Sequence, residues 1–482
     1  MVRKKESLAK NALLNSIKQV CTIIFPLITF PYASRVLGAE NYGKIGFSSS
    51  IVNYAILIAA LGISNYAIRE GAKRRNDNHL LNEFIREVFT INVISTVLAY
   101  FLLFISVLAV PKLKKYEALI AINSLVIAFN TIGRDWVNTI FEDYKYITIR
   151  YIISQSVAVI LMFIFVHNRN DFYFYAFTSI SGVLIANILN IIHLQSVHGI
   201  NFSFSAVSSC IKHLRPILVM FGTAVAMQIY VNSDITIIGM FLGNADVGYY
   251  SAAVKVYTLV KSLINALLLV AVPRVSFELA QGEEELVTEQ LSVLLNTLII
   301  ILLPAMVGIV FFSPSIIRLV AGVDFLPGSV SLSILGVALI FACLACFYIH
   351  VVMLPRNMEN KILLISVVSA SVNIVLNIIL VPQFGIRAGA VTTAISELIM
   401  FGYGAYSTKH FCGFTCYKGV ITGFFGIFTV IISYYIATRL INNWIIQLLF
   451  AIIISFIIYG PAVVIMNKSI VGVLVNSFKK KE

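Results

Sequence analysis

The sequence predicts an all-α polytopic membrane protein: roughly fourteen transmembrane helices, arranged as two parallel-repeat six-helix lobes followed by two more helices. Three observations predict it. Hydrophobic residues fill 59% of the 482 positions and charged residues only 12%, with a mean hydropathy of +0.92. A soluble chain of this length could not hide so much apolar surface, so lipid must be its solvent. The apolar residues also come in continuous runs, each near the ~20 residues a helix needs to cross the hydrocarbon layer. They are not the ten-residue alternations of a membrane β-barrel. Finally, Leu37-Gly38-Ala39-Glu40-Asn41-Tyr42-Gly43 returns 205 positions later as Leu242-Gly243-Asn244-Ala245-Asp246-Val247-Gly248. Each copy joins two apolar runs and closes a run that begins behind a basic stretch, which implies two halves of like fold.

The runs lie near 12–34, 42–67, 86–110, 116–140, 146–166, 172–193, 216–241, 247–272, 291–312, 329–353, 362–381, 388–407, 419–438 and 444–466. The first follows the basic Arg3-Lys4-Lys5 and leads to no small-residue cleavage site, so it is expected to stay as a membrane helix. Pro26 and Pro31 interrupt it. Each removes a backbone donor, which makes either a gate or a static kink. The end of the fourth run carries Arg134 and Asp135, and this run and the last two are the weakest of the fourteen readings. Two longer polar intervals, 194–215 and 273–290, separate runs six and seven and runs eight and nine. The second holds Glu283, Glu284, Glu285 and Glu289 and reads as a solvated helix. The expected division is 1–215 (helices 1–6), 216–410 (helices 7–12) and 411–482 (helices 13–14 and a tail). Six spans per half make the halves enter the membrane in the same direction, with a central cavity lined by spans one, two, seven and eight.

Placing the N-terminus in the cytoplasm puts 23 of the 35 Lys and Arg residues on the inner side and 9 on the outer side. That bias orients both termini towards the cytoplasm. The loop with Lys112, Lys114 and Lys115 runs against it. The net charge of +13 is scattered over short loops. It suits anionic headgroups and excludes a nucleic-acid groove. The six cysteines form no disulfide framework. Cys343 and Cys346 read as buried thiols inside an apolar run, and Cys412, Cys416 and His410 lack the fourth ligand of a structural zinc site. No metal or cofactor is expected.

Lys18, Asp234, Lys255, Lys261 and Glu397 fall inside apolar spans. A charge there costs a few kcal/mol and persists only facing water, a partner or a substrate. Ser251, Lys255, Thr258 and Ser262 share one face of span eight, and Lys261 and Asn265 form a neighbouring pair. Lys255 and Lys261 are separated by ~9 Å along the axis. Two cations at that spacing suit a pyrophosphate or an acidic sugar; the alternatives are snorkelling or pairing with Asp234. Lys18 is either a third substrate contact or an inner-leaflet snorkel. Asp234, near Gln228 and Asn232, is either a site for a coupling ion, H+ or Na+, or a counter-ion to a lysine. Glu397 is either ion-coupling or a structural hydrogen-bond acceptor.

Several motifs resemble one known group. They are Phe30-Pro31-Tyr32-Ala33-Ser34-Arg35-Val36-Leu37-Gly38 with Tyr42-Gly43; Asp135-Trp136 with Glu142-Asp143-Tyr144-Lys145-Tyr146-Ile147-Thr148-Ile149-Arg150; Asp234 through Gly239, Leu242-Gly243, Val247-Gly248-Tyr249-Tyr250 and Ala253-Val254-Lys255; and Pro382-Gln383-Phe384-Gly385-Ile386-Arg387-Ala388-Gly389-Ala390. Together they resemble the bacterial polysaccharide repeat-unit flippases (O-antigen or capsule type) of the multidrug/oligosaccharidyl-lipid/polysaccharide exporter superfamily. The resemblance implies two six-helix lobes, often with two extra helices, in the cytoplasmic membrane. It implies a substrate made of an undecaprenyl-pyrophosphate-linked oligosaccharide, a cationic cavity and ion-coupled alternating access. Lys255 matches the basic position of the family's span-eight motif. Membrane lipids, and a polysaccharide polymerase and glycosyltransferases, are the implied partners, and the chain is expected to be a monomer. A hydrated basic groove would let a diphosphate-bearing headgroup cross without stripping its hydration. A drug or cation antiporter would instead want an acidic or aromatic cavity. A membrane glycosyltransferase or polymerase would want a catalytic carboxylate pair or a large soluble loop. An uncoupled scramblase stays open.

Overall fold

The computed structural model describes residues 8–200, 203–269, 271–411 and 413–467. Seventeen α-helices occur among them, and no strand. In chain order they are α1 (Leu8–Ala60), α2 (Ile63–Ala72), α3 (Asn78–Ala109), α4 (Pro111–Lys114), α5 (Glu117–Gly133), α6 (Trp136–Ile140), α7 (Tyr144–Phe165), α8 (Phe172–His198), α9 (Val207–Phe241), α10 (Asn244–Leu269), α11 (Val272–Ala280), α12 (Glu284–Val320), α13 (Ser329–Cys346), α14 (Glu359–Phe384), α15 (Ile386–Ser407), α16 (Tyr417–Leu440) and α17 (Trp444–Met466). All fourteen apolar runs fall on these helices. Run one and most of run two share α1, whose helical backbone continues through Pro26 and Pro31 and breaks only at Gly38, with φ 72°; run two then crosses a left-handed step at Leu61 and Gly62 into α2. Run four is split: α5 ends at Arg134 in the left-handed region (φ 48°) and α6 restarts at Trp136. Run ten passes from α13 into a π-helical turn, Phe347–Met353.

The expected polar intervals are largely helical. Gly199, with φ 65°, caps α8, and α9 begins at Val207. The acidic interval folds as α11 and the first turn of α12, where Glu284 and Glu285 meet the positive end of the helix dipole. Glu278 of α11 is buried and accepts a hydrogen bond from Arg274 Nε at 3.0 Å.

Packing groups the chain into two units, Met1–Gly248 and Tyr249–Glu482. In the first, α1 lies against α3, α5, α7 and α9, while α8 packs on α5 and α7. Because α9 also touches α2 and α3, it counts with this unit, whereas the repeat assigns it to the second half. The core includes Ile63, Tyr66, Phe84, Trp136, Leu194 and Ile217. In the second unit, α13 and α15 pack together, flanked by α12 and α14, and α16 and α17 pack on α12. Helix α17 is the least covered of the candidate spans, with Phe456 77% and Ile465 68% exposed. Such apolar surface belongs against acyl chains.

The two copies of the repeat meet inside the first unit. A Cβ added to Gly43 would stand 2.8 Å from the carbonyl carbon of Asn244 and 2.9 Å from Gly248 N. A Cβ added to Gly248 would stand 2.8 Å from the carbonyl carbon of Ala39. Ala39 and Asn244 are equivalent positions of the repeat, as are Gly43 and Gly248. The contact is therefore reciprocal, each copy giving its glycine to the backbone of the other, as across a two-fold axis. Small residues four apart let two helix backbones approach this closely in lipid.

Candidate functional site

Helix α10 carries two of the predicted lysines, and they have different surroundings. Its buried face is Tyr250, Ala253, Tyr257, Ile264 and Leu268, a helical spacing that leaves Ser251, Lys255, Thr258 and Ser262 on another side. Thr258 and Ser262 are exposed, and Ser251 and Lys255 are half-buried. Lys255 makes no hydrogen bond, ion pair or ring contact with any described residue. Ser251 Oγ and Asn265 Oδ1, on the same helix, are buried polar atoms without a hydrogen-bond partner.

Lys261 is committed elsewhere. Its Nζ donates to Glu397 Oε1 of α15 at 2.6 Å, and Tyr257 OH donates to the same oxygen at 3.1 Å. Glu397 is buried, while Lys261 keeps about a quarter of its side chain exposed, at 26%. Tyr250 OH and Thr393 Oγ1, 3.4 Å apart, extend this α10–α15 contact by two turns. The structure thus joins Lys261 with Glu397 and leaves Lys255 apart from both. Cys343 is buried and Cys346 half-buried, both as free thiols close enough to Lys261 to feel its charge. Cys412 lies outside the described residues.

In the first unit, Lys18 is half-buried, with Nζ 6.0 Å from the centre of the Tyr151 ring, at the limit of a cation–π contact. Asp234 is buried on α9 beside Asn232 and Ser233, with Tyr54 of α1 within reach of its charge. The polar layer continues through Asn53 Nδ2 to Asn232 Oδ1 (3.3 Å), Thr236 Oγ1 to Ser50 Oγ (3.0 Å) and Asn123 Nδ2 to Ser48 Oγ (3.2 Å). The Gln228 side chain lies outside the described residues. A separate cavity of about 180 Å³ is lined by Asn92, Asn130, Thr131, Asp135, Trp136 and Asn187, among others. It has room for several waters, and Trp136 Nε1 is buried without a partner at its wall.

Other buried charges escaped the sequence pattern. Glu87 accepts from His213 Nε2 at 2.8 Å and pairs with Lys212 Nζ at 2.8 Å, while His213 Nδ1 meets Tyr66 OH at 2.6 Å. This network ties α2, α3 and α9 together. Arg134 and Arg150, which the charge count places on the inner side, are 1% and 6% exposed. Arg134 lies over the Phe89 ring, and Arg150 pairs with Asp135. Lys112, on the loop that opposes the charge bias, donates to the carbonyls of Met240 and Leu242 at 2.9 and 3.1 Å. It is a C-terminal cap of α9, where a cation also meets the negative end of the dipole. Burial and the charge of Lys115 push its pKa below the ordinary lysine value.

Comparison with known proteins fits this architecture. The family model described as "Polysaccharide biosynthesis protein" matches residues 8–277, and that described as "Lipid II flippase MurJ" matches residues 143–460. A putative O-antigen transporter of Escherichia coli is 26% identical over 279 residues, 57% of this chain and 66% of the relative. A probable low-salt glycan biosynthesis flippase, Agl15, of Haloferax volcanii is 30% identical over 167 residues, 34% of each chain. Thus the chain matches just under two thirds of the first relative's length and about a third of the second's. In fold it is similar to lipid II flippase MurJ in an inward closed conformation, with a TM-score of 0.70 at 19% identity over 94% of this chain and 99% of that one. It is also similar to an inward-facing multidrug resistance MATE family transporter of the MOP superfamily, with a TM-score of 0.59 at 15% identity over 83% and 98%. With more than half its length matched by each model, the chain belongs to the polysaccharide biosynthesis protein family and matches the lipid II flippase MurJ family.

Proposed function

We propose that this protein is a flippase that moves an undecaprenyl-pyrophosphate-linked oligosaccharide repeat unit from the inner to the outer leaflet of the cytoplasmic membrane by alternating access. Both termini lie in the cytoplasm. The observation that carries the substrate class is Lys255, a half-buried lysine in a membrane span with no partner among the described residues. A cation out of water without a counter-charge is costly, and a phosphate headgroup would remove that cost. Ser251 Oγ and Asn265 Oδ1, both without hydrogen-bond partners, offer polar contacts along the same helix, about 21 Å apart along its axis. The reading draws further support from the O-antigen and glycan flippases that the chain resembles. Lys18 is a secondary contact for the headgroup. Lys261 acts through its pair with Glu397 rather than as a second free cation. Asp234 or Glu397 holds the coupling ion, H+ or Na+, and Pro26 and Pro31 give α1 the freedom to gate. A drug or cation antiporter would want an acidic or aromatic substrate cavity, whereas Lys255 brings a positive charge.

The test is Lys255→Ala in a strain whose surface polysaccharide depends on this gene. Surface polysaccharide should vanish while the protein stays in the membrane and lipid-linked precursor accumulates inside. Lys255→Arg should keep part of the activity. Wild-type polysaccharide in Lys255→Ala would remove Lys255 from the mechanism and the anionic-headgroup reading with it.

A further inference from the structure

We infer that the start of α7 and the end of α8 form a zinc site made of Asp143, His193 and His198. This rests on no part of the transport reading. Asp143 lies 50 residues before His193, and His198 follows His193 on the same helix; one ligand atom from each falls within 4.8 Å of the others. His193 Nε2 and Asp143 Oδ2 are 3.0 Å apart. Ligand atoms on one tetrahedral zinc stand ~3.3 Å from each other. The pair is therefore already at metal-sharing distance, and His198 needs to close by no more than about 1.5 Å. His193 and Asp143 side chains are only 16% and 19% exposed, and His198 is half-buried.

Aromatic walls hold both imidazoles. The Tyr146 ring stacks on His193 at 3.6 Å and 8°, and Phe141 stacks on His198 at 4.0 Å and 19°. Stacking covers the ring faces, and the ligand atoms that converge lie at the ring edges. The two imidazole planes stand at 76° with centroids 5.5 Å apart. Arg150 lies 5.5 Å from the Tyr146 ring and is balanced by Asp135, which keeps its charge from opposing a cation. Two imidazoles and one carboxylate favour zinc over calcium and magnesium, which want oxygen donors, and match the three-ligand zinc sites that keep one position open. A bound ion would clip α7 to α8, which are packing neighbours, at the end the charge bias assigns to the cytoplasm. With three protein ligands, its fourth position stays open to water.

The experiment uses the full-length, tag-free protein in detergent, with zinc titrated against a chromophoric chelator. Wild type should bind one zinc per chain and gain melting temperature on binding. Asp143→Asn, His193→Gln and His198→Gln should each weaken binding at least about 100-fold, since even outer-shell changes cost 10–100-fold. Their metal-free melting shows whether each variant folds. Cobalt on the wild-type protein gives an answer independent of the variants: visible bands of nitrogen and oxygen donors support the site. No cobalt bands, thiolate charge-transfer bands, or unchanged zinc affinity in folded variants would each overturn it.

Discussion

Gly43→Ala is expected to destabilise the protein, although glycine to alanine inside a helix is normally favourable by up to about 1 kcal/mol. The added methyl would meet backbone rather than a flexible side chain. It would lie 2.8 Å from the Asn244 carbonyl carbon, nearer still to its oxygen, and 2.9 Å from Gly248 N. Ordinary contact begins at 3.4 Å, so the helices must part by more than half an ångström at the crossing. Overpacking of this kind costs about 1–3 kcal/mol, and separation also loses dispersion contacts along both helices. Gly248→Ala should cost the same, because the Ala39 carbonyl carbon lies at the matching 2.8 Å. The double substitution should cost less than the sum, since the first already opens the crossing. Gly402→Ala, with nothing near its Cβ position, is the control. For a unit of this size the loss corresponds to a fall of about 2–6 °C in melting temperature. Scanning fluorimetry in detergent measures it. Melting of Gly43→Ala and Gly248→Ala within a degree of Gly402→Ala would refute the reciprocal crossing.

Three further outcomes are expected. Glu397→Gln should cost about 3–5 kcal/mol by leaving Lys261 half-buried and uncompensated, while Lys261→Met with Glu397→Leu should be close to neutral; equal melting of the single and double variants would sink the ion pair. If that folded double variant still transports, Glu397 has no part in ion coupling. Lys112→Met should lose about 1 kcal/mol by uncapping α9, and Lys114→Met should lose nothing; denaturant midpoints separate the two. His213→Phe should cost about 1–3 kcal/mol by removing one of the two partners of buried Glu87 and the partner of Tyr66 OH, a loss that shrinks if Glu87 is changed to Leu in the same chain.

Lipid makes the spans legible. Every helix that crosses it must be apolar along its length, so all fourteen runs could be read without tertiary information. The repeat was legible for a related reason: Gly43 and Gly248 have to be glycine where two backbones touch. What the pattern could not carry was pairing. Glu397 lies 136 residues beyond Lys261, and nothing local announces that one neutralises the other. The charge count places Arg134 and Arg150 on the inner side and knows nothing of burial. Lys112 looked like an exception to the bias until α9 placed two open carbonyls beside it. Span four looked continuous because hydropathy does not register a left-handed Arg134. Asp143, His193 and His198 converge only through the packing of α7 on α8. The same limit holds for Lys255: spacing put it on a polar stripe, but only the structure separated it from Lys261.

The central claim is that Lys255 takes the anionic head of the lipid-linked substrate. Native mass spectrometry of the purified protein with undecaprenyl pyrophosphate and with undecaprenol tests it most directly. The account predicts that wild type retains the pyrophosphate lipid over the alcohol, and that Lys255→Ala loses this preference while Lys114→Ala keeps it. Equal retention of the two lipids by wild type, or an unchanged preference in Lys255→Ala, would contradict it.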